Sequence, residues 1–264
     1  MVIAMKSATL ADVIPSQGGG SVTAVTSLDD DVVFVARSYS QRVDVYDAAT
    51  LTLRGRLTVP GLGLCPSGLA ACPQNNCLYA ADHLPDRVHR VDLSGSNAVK
   101  KWSVASGPRG LSVNSEHNLI VACCYANKLQ EYTTHGSLVR EICLQAGLTS
   151  PWHAIQLSTG DYVVSQCKSR GMVSVVGPDG QVVRSYGQSQ TSECPCVAAV
   201  TKNDNILVAD ANNHRIVSFH SWGLTQVLAA GIYWPMVLCL DESRGRIYAG
   251  NRDGEVFVYD EVRL

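Results

Sequence analysis

Ile206-Leu-Val-Ala209 is a short β-branched run that closes on a small residue, and the chain uses that device six times. The other copies are Val33-Phe-Val-Ala36, Leu78-Tyr-Ala-Ala81, Leu119-Ile-Val-Ala122, Tyr162-Val-Val-Ser165 and Ile247-Tyr-Ala-Gly250, with closing residues 45, 41, 43, 44 and 41 positions apart. A second, alternating segment follows each copy and begins at Val43, Val88, Leu129, Val173, Ile216 and Val256. A third marker precedes both, a proline ahead of a small apolar run, at Pro66, Pro108, Pro151, Pro195 and Pro235. Three markers that share one period of 40–45 residues define a repeat protein.

Each repeat reads as four short antiparallel strands. Polar clusters such as Asp29-Asp-Asp31, Asn75-Asn76, Pro178-Asp-Gly180 and Asn203-Asp-Asn205 punctuate the runs as hairpin turns. A fourth run follows the second segment, as in Leu51-Thr-Leu-Arg-Gly-Arg-Leu57 and Val182-Val-Arg-Ser-Tyr186, and no stretch keeps a helical period. Six such units make an all-β, six-bladed β-propeller of four-stranded antiparallel blades. The reading places a single domain over 1–264, with blades at about 20–60, 61–106, 107–148, 149–189, 190–230 and 231–264. Only five residues follow Val256-Phe-Val-Tyr259, so the sixth blade lacks its outer strand. Residues 1–15, around Ala8–Ile14, are expected to supply it and to fasten the ring.

Composition excludes several classes. The 264 residues are 46% hydrophobic and 17% charged, which is too apolar for a disordered chain. A net charge of −2 offers no global polycation for nucleic acid, and no DNA partner is expected. The uncharged windows Leu57–Ala81 and Ile216–Leu240 are broken by Pro, Gly and polar residues, so neither reads as a membrane span. The first residues lack the apolar core of a secretory peptide. Most of the ten cysteines sit in apolar runs such as Leu119-Ile-Val-Ala-Cys-Cys124 and Glu141-Ile-Cys143, where cysteine behaves as a small buried hydrophobe. The expectation is a reduced, cytoplasmic monomer.

Val208-Ala-Asp-Ala-Asn-Asn-His-Arg-Ile216 resembles the signature of NHL repeats, with weaker echoes in Asp82 and Asp86-Arg87-Val88, and in Ala126-Asn127-Lys128-Leu129. The whole chain is similar to the NHL domains of tripartite-motif ubiquitin ligases and their translational-repressor relatives. That resemblance implies a propeller that binds protein or RNA while other domains carry any catalysis. Its motif is tied to the fold, so Asp210 and Asn212 are expected to bond neighbouring backbone and His214 to fix a contact between blades.

The loops after each second strand, with those that lead into each inner strand, fall on one face, the top. They carry nine basic residues, Arg37, Arg42, Arg87, Arg109, Lys128, Lys168, Arg170, Arg215 and Arg252, against six acidic ones, a net of +3. Tyr39, Tyr125, Trp152, Tyr186, Tyr233 and Trp234 fall on the same side, as do His153 and His214. Aromatic and basic side chains together suit a protein or peptide partner, and also single-stranded RNA, which ranks second because +3 is a small excess. Both Trp residues could instead pack between blades. A channel-centred, metal-dependent hydrolase of the gluconolactonase type ranks third. The inner runs offer only Arg109 and His153 as strongly polar groups, and Cys194-Pro-Cys196 lacks metal-site spacing. No metal, cofactor or enzymatic activity is therefore expected.

Overall fold

The computed structural model describes residues 8–16, 20–29, 31–166, 171–188, 196–219 and 225–260. It forms six four-stranded antiparallel sheets. Blade one holds β2 (Val22–Leu28), β3 (Val32–Arg37), β4 (Arg42–Asp47) and β5 (Leu53–Thr58). Blade two holds β6 (Pro66–Cys72), β7 (Cys77–Asp82), β8 (Arg87–Asp92) and β9 (Val99–Ser103). Blade three holds β10 (Pro108–Val113), β11 (Leu119–Cys123), β12 (Lys128–Tyr132) and β13 (Leu138–Cys143). Blade four holds β14 (Pro151–Gln156), β15 (Tyr162–Gln166), β16 (Gly171–Val176) and β17 (Val182–Gln188). Blade five holds β18 (Cys196–Val200), β19 (Ile206–Asp210), β20 (Arg215–Phe219) and β21 (Thr225–Ala230). Blade six takes β22 (Pro235–Asp241), β23 (Arg246–Asn251) and β24 (Val256–Asp260), and its fourth strand is β1 (Thr9–Ile14). A single 3₁₀ turn, Ala211–Asn213, is the one helical element among the described residues.

The repeated β-branched runs are the second strands, and β3, β7, β11, β15 and β19 are buried almost throughout. Each is covered on both faces because the next blade packs on either side, which is why these runs do not alternate. The fourth strands face solvent, as in β5 and β13. Six hydrophobic clusters form the core, one at each seam between neighbouring blades. Cys72, Cys77, Cys123 and Cys124 are buried free thiols, and burial pushes the Cys123 thiol up to about 12. Cys143 is the correction, an exposed residue on a fourth strand rather than part of a buried run.

Every inner strand has a β-bulge within its first residues, between Val22 and Ala24, Pro66 and Gly68, Pro108 and Leu111, Pro151 and His153, Cys196 and Ala198, and Pro235 and Val237. A bulge turns the extra residue away from the regular alternation. Thr23, Ser67, Gly110 and Trp152 thereby line the upper end of the central channel. Inner strands of adjacent blades are stitched by side chains to carbonyls: Ser67 Oγ to Pro108 O at 2.7 Å, Ser112 Oγ to Ala154 O at 2.7 Å, and His153 Nε2 to Leu111 O at 3.1 Å. The approach is close enough that a Cβ on Gly110 would stand 2.3 Å from the His153 ring.

Closure rests on five backbone pairs from Thr9↔Asp260 to Ile14↔Val256, with Ile14 buried in the seam between blades six and one. Removing residues 1–15 is expected to lower the melting temperature by roughly 5–10 °C. That corresponds to about 2–3 kcal/mol for the lost Ile14 burial and exposed edge. Calorimetry of full-length and truncated chains measures it, and an unchanged temperature would contradict the closing role.

Candidate functional site

The NHL-like triplet is a latch between blades. Asp86, Asn127 and His214 each immediately precede a third strand and each has a left-handed backbone, with φ of 57°, 52° and 53°. Their side chains accept hydrogen bonds from the backbone that leads into the next blade: Asp86 Oδ1 from Gly107 N–H at 2.7 Å, Asn127 Oδ1 from Ser150 N–H at 3.1 Å, and His214 Nδ1 from Trp234 N–H at 3.1 Å. Asp210, expected to bond backbone, instead binds side chains: Asn213 Nδ2 reaches both its oxygens at 2.9 and 2.8 Å, and Arg215 Nε pairs with it at 2.8 Å. The structural role expected of His214 is the one observed. Sequence reasoning quoted Asp86 and Asn127 as motif echoes without seeing that they share that role.

The basic face is smaller than the sequence count. Arg37 is only 5% exposed and is ion-paired with Asp44, while its Nε donates to Gly254 O at 3.2 Å, so it is corrected from a surface cation to a buried strut. Lys128 pairs with Glu141 at 3.1 Å, and Arg215 is held by Asp210. Lys168 and Arg170 lie outside the described residues. Tyr186 is also corrected: it is buried at the seam of blades four and five, 5.4 Å from Phe219 ring to ring. Arg42, Arg87, Arg109 and Arg252 have no carboxylate partner among the described residues. The acids beside them serve the backbone instead, as when Asp82 accepts from Gly63 N–H at 2.9 Å.

What the top face does assemble is two cation–aromatic clusters. On blades three and four, the Arg109 guanidinium lies 4.9 Å from the Trp152 ring and 5.8 Å from the Tyr125 ring, and donates to the Tyr125 hydroxyl at 3.1 Å. On blades five and six, His214 stacks on Tyr233 at 5.4 Å, with Trp234 edge-on at 6.4 Å and Arg252 lying 5.4 Å from the Trp234 ring. Tyr125 is 64% exposed, Tyr233 50% and Tyr39, which stands apart on blade one, 81%. Both Trp residues are half-buried: Trp152 packs against the cluster at the seam of blades six and one, and Trp234 lies beside His214.

Below the first cluster the channel holds a cavity of about 30 Å³, lined among others by Thr23, Ser67, Gly110, Trp152 and His153. His153 is 7% exposed, and burial pushes its pKa down to about 4. Its Nε2 donates to Leu111 O, which leaves Nδ1 as an acceptor, and neither Nδ1 nor Thr23 Oγ1 has a hydrogen-bond partner. Sequence reasoning missed Thr23, since a lone threonine in an apolar run carries no signal. Among the described residues no group of three or more His, Cys, Asp or Glu is placed to hold a metal ion, and no helix is long and apolar enough to cross a membrane.

Comparison with known families matches the NHL repeat to residues 195–219. No curated protein matches the chain. Among solved structures, virginiamycin B lyase from Staphylococcus aureus superposes with a TM-score of 0.72 at 10% identity, over 95% of this chain and 98% of its own. Streptogramin B lyase gives 0.69 at 12%, over 96% and 97%. Kuenenia stuttgartiensis hydrazine synthase gives 0.67 at 19%, over 89% and 74%. These likenesses show a shared β-propeller fold. They also correct the expectation of a chain without enzymatic activity, because the fold on which that expectation leaned is equally the fold of lyases.

Two outcomes test the site's construction. His214→Asn is expected to stay within about 0.5 kcal/mol of the parent, since Asn127 fills the same role, whereas His214→Ala is expected to cost about 1–2 kcal/mol by urea denaturation. Because His153 is neutral in the fold, its contribution is complete above the unfolded value near 6.5 and is lost as pH falls towards about 4. Between pH 7.5 and 4.5 the parent should lose about 2–3 kcal/mol more than His153→Gln; equal losses would contradict the neutral, buried histidine.

Proposed function

We propose that the protein is a recognition propeller that holds a peptide segment of a protein partner on its top face. The observation that carries the reading is the pair of cation–aromatic clusters, Arg109 with Tyr125 and Trp152, and His214 with Tyr233, Trp234 and Arg252. Tyr, Trp and Arg dominate interface hot spots, and side chains already held by stacking lose little freedom on binding. Kinship with the NHL domains of tripartite-motif proteins belongs to this reading and is supported by the repeat matched at 195–219. Single-stranded RNA ranks below a peptide because Arg37, Lys128 and Arg215 are already paired with Asp44, Glu141 and Asp210.

A second reading is catalysis at the channel mouth. It is favoured by the likeness to two lyases, one of them also seen as a catalytically inactive histidine-to-alanine variant with Quinupristin, and by the uncharged His153 with its unpartnered Nδ1. Incubation with Quinupristin, followed by mass spectrometry and chromatography, separates the readings: a converted product would favour catalysis.

For the leading reading, a random-peptide display library is expected to yield binders of the intact chain. Tyr125→Ala and Trp234→Ala should weaken them roughly 10- to 30-fold, mainly through faster dissociation. Raising salt from 50 to 300 mM should change their affinity little. Failure to enrich peptides, together with tight binding of a single-stranded RNA pool and a log–log salt slope near about −3, would replace the peptide by RNA.

A further inference from the structure

We infer that the channel mouth between blades three and four is a binding site for a carboxylate that lies beside an N–H donor, as in the C-terminal residue of a peptide or a free N-acylated amino acid. The inference rests on the peptide-recognition reading and names the part of a peptide that enters this site.

Arg109 is the carboxylate anchor. The β10 bulge carries it out of register at the channel mouth. The Tyr125 hydroxyl and the Trp152 ring hold its guanidinium plane, so the fork that matches a carboxylate is oriented before any ligand arrives. No described carboxylate neutralises it, in contrast to Arg37, Lys128, Arg140 and Arg215, each of which has an acidic partner. A planar cation kept stacked and unpaired at the mouth of a channel favours an anion from outside.

Two buried polar atoms beneath Arg109 specify what accompanies the carboxylate. His153 is more than nine-tenths buried, and its Nε2–H is committed to Leu111 O, so Nδ1 can only accept. Thr23 Oγ1 lines the same cavity and is likewise unpartnered. A buried polar group left without a partner is unfavourable, so both gain from a ligand that reaches them. Thr23 belongs to blade one and His153 to blade four, on opposite sides of the ring, so a ligand that meets both lies near the channel axis. An amide N–H next to a carboxylate satisfies His153, and the Thr23 hydroxyl donates to an oxygen of the same group. The cavity of about 30 Å³ has room for a few atoms only, so the tip of a ligand enters it while the rest stays at the mouth. Trp152, at the rim, offers a flat face to the last side chain.

The test uses the full chain and two random octapeptide libraries tethered through their N-termini, identical except that one ends in a free acid and the other in an amide. A panel of N-acetyl amino acids and their amides is run beside them in solution. Acid-ended peptides are expected to be retained at least tenfold over amides. Arg109→Gln should abolish that preference, Arg109→Lys should reduce it, and Thr23→Val should weaken retention several-fold with the fold unchanged by circular dichroism. Lys100→Gln, the same charge change on an exposed fourth strand, should leave the preference intact. Retention of acids and amides alike would overturn the carboxylate site and leave peptide recognition standing. Binding of N-acetyl amino acids but of neither library would support the site with a free small molecule as its ligand, and would overturn the peptide reading. Absence of all binding, or an acid preference unchanged in Arg109→Gln, would overturn the inference.

Discussion

The antiparallel pairing of Thr9–Ile14 with Val256–Asp260 is the constraint on which the rest depends. A propeller blade is covered only by its neighbours, so a ring with one loose edge exposes two blade faces at once. By building blade six from both ends of the chain, the protein turns closure into ordinary strand pairing. Ile14 then joins Val22, Tyr46, Tyr248 and Val256 in the seam between blades six and one. With that seam made, the other five are equivalent, each with its own apolar cluster.

A ring of near-identical seams still has to hold each blade at a fixed angle, and apolar packing alone is non-directional. Direction comes from polar contacts that repeat with the blades. Near the channel these are the side-chain bonds of Ser67, Ser112 and His153 to carbonyls across the seam. On the top face they are the left-handed residues Asp86, Asn127 and His214, which clasp the backbone leading into the next blade. The same contacts govern what the top face can offer a ligand. A cation already paired with a carboxylate is not a free contact, which is why Arg37 and Arg215 drop out while Arg109, Arg252 and Arg42 remain.

The period of the apolar runs made the fold legible, because burial of a blade's second strand on both faces leaves a continuous hydrophobic mark at every repeat. Closure was legible by subtraction, from the five residues left after Tyr259 and the unassigned run at Ala8–Ile14. The site was legible only as a face. Loop assignment placed Arg37 and Tyr186 at the top, but composition cannot tell a surface arginine from one whose carboxylate partner, Asp44, stands on the next strand of the same blade. Cys143 misled in the opposite way, since an apolar run on a fourth strand looks like one on a second strand until the seams are known. Thr23 gave no sign at all, because its meaning depends on a bulge and on a histidine three blades away.

The likeness to lyases and the recognition reading are less opposed than they first look. The two proposed readings share the channel mouth, where bulged inner strands turn side chains out of register. What separates binding from catalysis in such a mouth is the protonation chemistry of the groups beneath the ligand. Among the residues that line the cavity the titratable one is His153, kept neutral by burial and already bonded through Nε2. Its single free lone pair can accept a hydrogen bond at any pH above about 4. As a base it would be weak, because the same desolvation that keeps it neutral disfavours the imidazolium that proton abstraction would create. The geometry of this mouth therefore suits His153 to accept a hydrogen bond from a donor that reaches Nδ1.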